Sequence, residues 1–293
     1  MDLEPEGVVP PDTDVAVGND PAVRDIERLL ESGKIEAGLR AIDDAMAAGR
    51  GNAADLTFLR GDACLGLGRA REAEREFRTV LQGDPDCPSS RCWLAMCLYL
   101  QWRFEEAEEA VAAARALPDA LVDADVVAGC LFERRGSYRQ ADGLFERAAT
   151  ASPDKYSVPV RLTRDEFDHE VQEAVRMLPD QFQQYLERVR VVVQEVPDEA
   201  FGRAEAPVDG EPLGPDMLGL FEGVPLADEQ QDLAGPQGVA PVKPATIYLF
   251  QRNLERMATG REDLVEQIRV TMWHELGHYL GFDEDDMERL GLE

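Results

Sequence analysis

The chain has 293 residues, enough for one large domain or two ordinary ones with buried cores. Its formal net charge of −29 argues against nucleic acid and against anionic membranes as main partners, because both repel a strongly acidic surface. No run approaches the roughly 18 apolar residues of a membrane span, and the opening Met1-Asp2-Leu3-Glu4-Pro5-Glu6-Gly7 has neither the basic nor the apolar region of a signal peptide. A cytoplasmic protein is expected. The five cysteines (Cys64, Cys87, Cys92, Cys97, Cys130) are odd in number and form no C-x-x-C, so reduced core residues are expected. Basic residues are nearly all Arg, with Lys only at Lys34, Lys155 and Lys243.

Residues 1–19 carry acids and prolines and few large apolar groups, which predicts a disordered acidic tail. From residue 20 to 153 the chain repeats. Gly61, Ala95 and Gly129 are spaced by 34, as are Ala73, Ala107 and Ala141, then Phe77, Val111 and Phe145, then Val80, Ala114 and Ala148. A helix–turn–helix period of that length, with small, small, aromatic and small residues at these offsets, is the tetratricopeptide pattern. The region resembles that family over three repeats starting near Ala54, Pro88 and Val122, and residues 22–50 read as a degenerate leading helix pair that caps the stack. The resemblance implies a protein or peptide partner on the concave face, with a spacer or self-association surface as the alternative. So few lysines give no basis for a lysine-rich clamp on a partner's terminal carboxylate.

Around Ser152–Ser157 the period ends. Thr163 and Glu166 make a capping box before a helix with Phe167, Val171, Val175 and Leu178 on one face. His169 lies off that stripe; a surface position is expected, with service as a distant metal ligand the alternative. Pro179 ends this helix, and Phe182, Tyr185 and Leu186 suggest a second short one. Arg188 to Val196 is a valine-rich strand, and Thr246 to Phe250 is another. The long Pro/Gly segment between them holds an apolar island from Met217 to Leu226, which can dock near a site or add an edge strand. Asn253, Leu254 and Met257 begin a short helix before Gly260.

The last helix carries the chemistry. Thr259 and Glu262 form a capping-box pattern at its start, and Leu264, Ile268, Met272, Leu276 and Leu280 recur at four-residue spacing. His274-Glu275-Leu276-Gly277-His278 reads as H-E-x-x-H. Residues four apart share a helix face, so His274 and His278 can offer two imidazole nitrogens to one metal, and Glu275 can act as general base toward a metal-activated water. Gly281 sits where a left-handed turn would end the helix and bring Asp283 or Glu284 back as a third ligand. Only fifteen residues follow His278, so that ligand is expected from Asp283, Glu284, Asp285, Asp286 or Glu288 unless His169 or an upstream acid contributes. Met287 is expected to pack its own short helix with Leu290, with a place beneath the site as the alternative.

Residues from about 156 onward resemble the small bacterial zincin-like metallopeptidases, or minimal zincins. The likeness covers the opening helix, the valine strand, Gly219-Leu220-Phe221-Glu222-Gly223-Val224-Pro225-Leu226, the Ile247-Tyr248-Leu249-Phe250 strand and the motif helix. The family pattern is H-E-x-x-H-x-x-G-x-x-D. It implies Zn2+ held by His274, His278 and position 284, with Glu275 as catalytic base; this chain has Glu284 where the pattern has Asp, beside Asp283. The expected architecture is multidomain: an all-α tetratricopeptide repeat solenoid (20–153) followed by a small α+β zincin-like domain (154–293). The implied function is zinc-dependent peptide hydrolysis, with the repeats recruiting a protein substrate or partner and strand Thr246–Phe250 pairing with an extended peptide. The alternative is a catalytically silent repeat scaffold that binds zinc.

Overall fold

The computed structural model describes residues 21–203, 213–226 and 244–290, so the acidic tail and much of the Pro/Gly segment lie outside the described residues. The chain forms two compact units: Met1–Ser157 with Gly202–Pro215, and Val158–Phe201 with Asp216–Glu293.

The first unit is a run of antiparallel helix pairs: α1 (Pro21–Glu31) with α2 (Ile35–Ala47), α3 (Ala53–Gly66) with α4 (Ala70–Gly83), α5 (Pro88–Leu100) with α6 (Phe104–Arg115), and α7 (Asp123–Arg134) with α8 (Tyr138–Ala151). Local signals fix the starts. Asn52 Oδ1 accepts from Ala54 N at 2.8 Å to cap α3, and Pro88 occupies the first turn of α5, where its missing N–H costs nothing. Within a pair, the period-34 residues meet. A Cβ added to Gly61 would stand 2.8 Å from Phe77 Cε1, and one on Gly129 would stand 2.5 Å from Phe145 Cε1. Where the middle repeat shortens Phe to Val111, the facing glycine becomes Ala95, and both are buried. Summed volume is thus kept across the three repeats, as a close-packed core requires.

The turn inside each repeat needs a left-handed residue. Gly68 and Gly136 supply it at φ 67° and 70°, but the middle repeat has Trp102 there, at φ 62°. A non-glycine in this region costs about 1 kcal/mol. The Trp102 ring is occupied on several sides: its Nε1 donates to Leu213 O at 2.7 Å, Gly202 lies against its face, and Arg134 stands 5.3 Å from its centroid. All five cysteines are free, and all but Cys87 are buried. Burial pushes the Cys64 thiol up to about 11, so it is inert as a nucleophile.

The second unit contains α9 (Arg164–Met177), α10 (Asp180–Leu186), β1 (Arg190–Gln194), β2 (Gly219–Glu222), β3 (Thr246–Phe250), α11 (Gln251–Met257), α12 (Arg261–Leu280) and α13 (Glu284–Leu290). The Thr163–Glu166 capping box of α9 forms in full. The sheet has order β1-β3-β2, with β1 parallel and β2 antiparallel to β3. This corrects one expectation. Strand Thr246–Phe250 is central, hydrogen-bonded on both sides, and cannot pair with a peptide. Its near-continuous apolar run reflects cover on both faces rather than an edge. The edge strand beside α12 is β2, formed by the apolar island.

Glu255 ties the start of this unit to its middle. Its fully buried carboxylate accepts from Leu162 N at 3.0 Å, Gln251 Nε2 at 2.8 Å, Arg161 Nη1 at 3.0 Å and Arg252 Nη1 at 3.1 Å. A buried carboxylate is tolerated only when so many donors replace its water. No helix among the described residues is long and apolar enough to cross a membrane.

Candidate metal centre

Helix α12 is fixed at both ends. At its start the reciprocal acid is Asp263, not Glu262: Thr259 N and Oγ1 donate to Asp263 Oδ2 at 2.7 and 2.9 Å. These bonds hold the Asp263 carboxyl below the usual range, the backbone N–H contributing most. The helix begins at Arg261, so Asp263 and not Glu262 is the residue that can turn back to Thr259. At its end Gly281 adopts φ 82°, Phe282 N donates to Gly277 O at 3.1 Å, and Gly281 N donates to His278 O at 3.1 Å. This is a Schellman closure, which the sequence anticipated from Gly281. Leu264, Ile268, Met272 and Leu276 are fully buried or nearly so, and Trp273 Nε1 donates to Ala174 O at 3.0 Å, pinning α12 to α9.

On this rigid segment the two histidines converge. His274 Nε2 and His278 Nε2 are 3.0 Å apart, with rings nearly perpendicular. Two imidazole nitrogens on one tetrahedral zinc, each at 2.0–2.1 Å, stand about 3.3 Å apart. The pair therefore matches a shared metal to within a few tenths of an ångström. Glu275 is buried at 8% exposure and faces β2. A Cβ built on Gly219 would lie 2.8 Å from Glu275 Oε1 and 2.6 Å from Thr271 Cγ2, so only glycine lets β2 pass this close to the carboxylate. The approach of β2 is set by Phe250 N donating to Leu218 O at 2.9 Å and Asn253 Nδ2 donating to Met217 O at 2.7 Å.

After the Schellman turn, α13 folds back onto α12. Met287 is fully buried, and its Sδ would stand 2.5 Å from a Cβ on Gly277. Met287 thus packs beneath the segment joining the two histidines rather than only within its own helix. Asp283 caps α13, its Oδ1 accepting from Asp286 N at 2.9 Å and its carbonyl accepting from Met287 N at 3.0 Å. Glu284 is the first residue of α13, and its side chain lies outside the described residues. Among the described residues no group of three or more His, Cys, Asp or Glu side chains assembles for a metal. His169 is exposed on α9, 3.8 Å from Glu173. Tyr279 is fully buried with its ring 5.7 Å from Phe221, in the core between helix and sheet.

Two residues that shape this site escaped the sequence reading. Gly219 and Gly277 each mark a close approach, and an isolated glycine inside a strand or helix pattern is the signal that points to one. Gly219→Ala is expected to lower turnover at least tenfold while leaving zinc content unchanged. Parallel kinetics and elemental analysis check it, and wild-type turnover would show that β2 yields instead.

The fold and the histidine pair together define a helical repeat unit followed by an α+β unit with an H-E-x-x-H helix. Residues 186–292 match the family model described as zincin-like metallopeptidase, and residues 65–120 match that of the tetratricopeptide repeat. The first stretch is thus similar to zincin-like metallopeptidases and the second to tetratricopeptide repeats. Among solved structures it is similar to YrrB, described as a tetratricopeptide repeat protein with an unusual peptide-binding site. That likeness is 19% in identity and covers 45% of this chain and 68% of YrrB, with a TM-score of 0.38. No curated protein matches.

Proposed function

We propose that the chain is a zinc-dependent metallopeptidase in which residues 20–153 recruit a protein or peptide and residues 154–293 cleave it. The observation that carries this reading is the convergence of His274 and His278 Nε2 beside the buried Glu275. His274, His278 and Glu284 hold the metal. Glu284 is preferred to Asp283 because the Asp283 carboxylate is engaged in capping α13. Zinc held there would supply Lewis acidity toward a peptide carbonyl and a water. Glu275 accepts that water's proton and delivers it to the leaving amine. The substrate lies extended along the outer edge of β2, which pairs with β3 alone among the described residues.

Elemental mass spectrometry of the purified chain beside His278→Ala tests the site. About one zinc per chain, lost in the variant, is expected. Equal zinc in both would reject the ligand assignment. Zinc without hydrolysis of any peptide in a degenerate library would leave a zinc-binding repeat scaffold as the better reading.

A further inference from the structure

The first helices of the three repeats contribute Asp62 from α3, Trp93 from α5 and Asp123 from α7. The chain's own backbone comes to meet them. After α8 it turns, with Lys155 N and Tyr156 N donating to Ser152 O at 3.1 and 2.9 Å. Lys155 Nζ then donates to Asp123 Oδ1 at 2.7 Å, and the Tyr156 hydroxyl donates to the same oxygen at 2.5 Å. The ammonium stands 5.9 Å from the Trp93 ring centroid and 5.4 Å from that of Tyr156, within cation–π range.

Asp62 adds a second carboxylate within electrostatic reach of Lys155. It is 9% exposed, and its Oδ1 has no hydrogen-bond partner among the described residues. Burial pushes its carboxyl up to about 7, and Lys155 is the positive charge that draws it back down. An orphaned buried oxygen on a carboxylate is costly, and folding alone gives no reason to keep it. A receptor whose ligand brings the missing donor does give one.

We propose that this face is a receptor for a lysine or arginine side chain of an extended partner segment, which replaces Lys155 over Trp93 between Asp123 and Asp62. The residues around Lys155 and Tyr156 are then a resident mimic, displaced when the partner arrives. The idea rests on the reading of the repeats as a peptide-binding module and adds the chemistry that they select. The net charge of −29 favours approach by a basic segment.

The probe is a fluorescein-labelled peptide spanning residues 150–159, with a second version carrying norleucine for lysine. Binding to the full chain is read by anisotropy. Lys155→Met, which removes the resident cation and its bond to Asp123, should bind the lysine peptide at least tenfold more tightly than wild type. The norleucine peptide should bind that variant at least tenfold more weakly, and adding Asp62→Asn should cost a similar factor. Equal binding of the two peptides would overturn the cation receptor while leaving a peptide-binding module. Binding of neither to folded Lys155→Met would overturn both. If that variant loses its helical circular dichroism, the wild-type chain serves. Excess peptide with arginine in place of lysine should then speed reductive methylation of Lys155 relative to exposed Lys34. An unchanged ratio would refute the displacement.

Discussion

Glu275→Gln is expected to slow peptide hydrolysis by about 10²–10⁴-fold, the usual contribution of a positioned general base. The amide keeps the volume and nearly the shape of the carboxylate, so the packing against Gly219 survives. What it loses is the ability to take a proton. His274 and His278 are untouched, so zinc should remain at the wild-type level. Turnover and zinc content measured on the same preparation separate the two roles. Loss of metal would make Glu275 a ligand or a structural support, and retained turnover would place the base elsewhere.

Asp62→Asn is expected to stabilise the chain at pH 8 relative to wild type, with the advantage vanishing near pH 4. The folded-state carboxyl titrates at about 7 against an ordinary 3.8, so between those values the folded state holds a proton that the unfolded state has released. Stability from this group is therefore greatest below pH 4, falls as pH rises through that window, and is lost above 7. At 1.36 kcal/mol per pH unit the difference reaches at most about 4 kcal/mol. Asparagine stays neutral throughout and lacks the dependence. Denaturant unfolding of both proteins at several pH values gives the difference curve, in which all other carboxylates cancel. A flat curve would mean that Asp62 ionises freely in the fold. The sloping curve, together with the peptide experiment, would make Asp62 a residue that weakens the fold in order to bind.

Much of this molecule could be read from residue spacing, because the physics that fixes those parts is local or periodic. The Gly61–Phe77 and Gly129–Phe145 pairs recur at a fixed period, so the repeats announce themselves. The histidine pair is four residues apart on one helix, and Gly281 signals where that helix stops. The sheet was harder. Nothing within Thr246–Phe250 says that it lies between β1 and β2, because strand order depends on partners more than fifty residues away in the case of β1. Asp263 displaced Glu262 as the acid that reaches Thr259 because the helix starts one residue later than the capping pattern supposes. Lys155 falls where the repeat period ends. Its burial against Asp123 follows from how α5, α7 and the segment after α8 meet, which no local pattern encodes.

Trp102 bears on how this protein can be cut. Residues 202–215 separate β1 from β2 in the chain, yet they group with the repeats, where the Trp102 indole grips the carbonyl of Leu213. Four residues beyond Pro215 comes Gly219, the strand position against Glu275. A fragment beginning near residue 158 would keep His274, Glu275 and His278 but lose the Trp102 contact that holds Leu213. The chain therefore crosses between its two compact units more than once, and the shortest piece that keeps Leu213 on Trp102 includes the repeats.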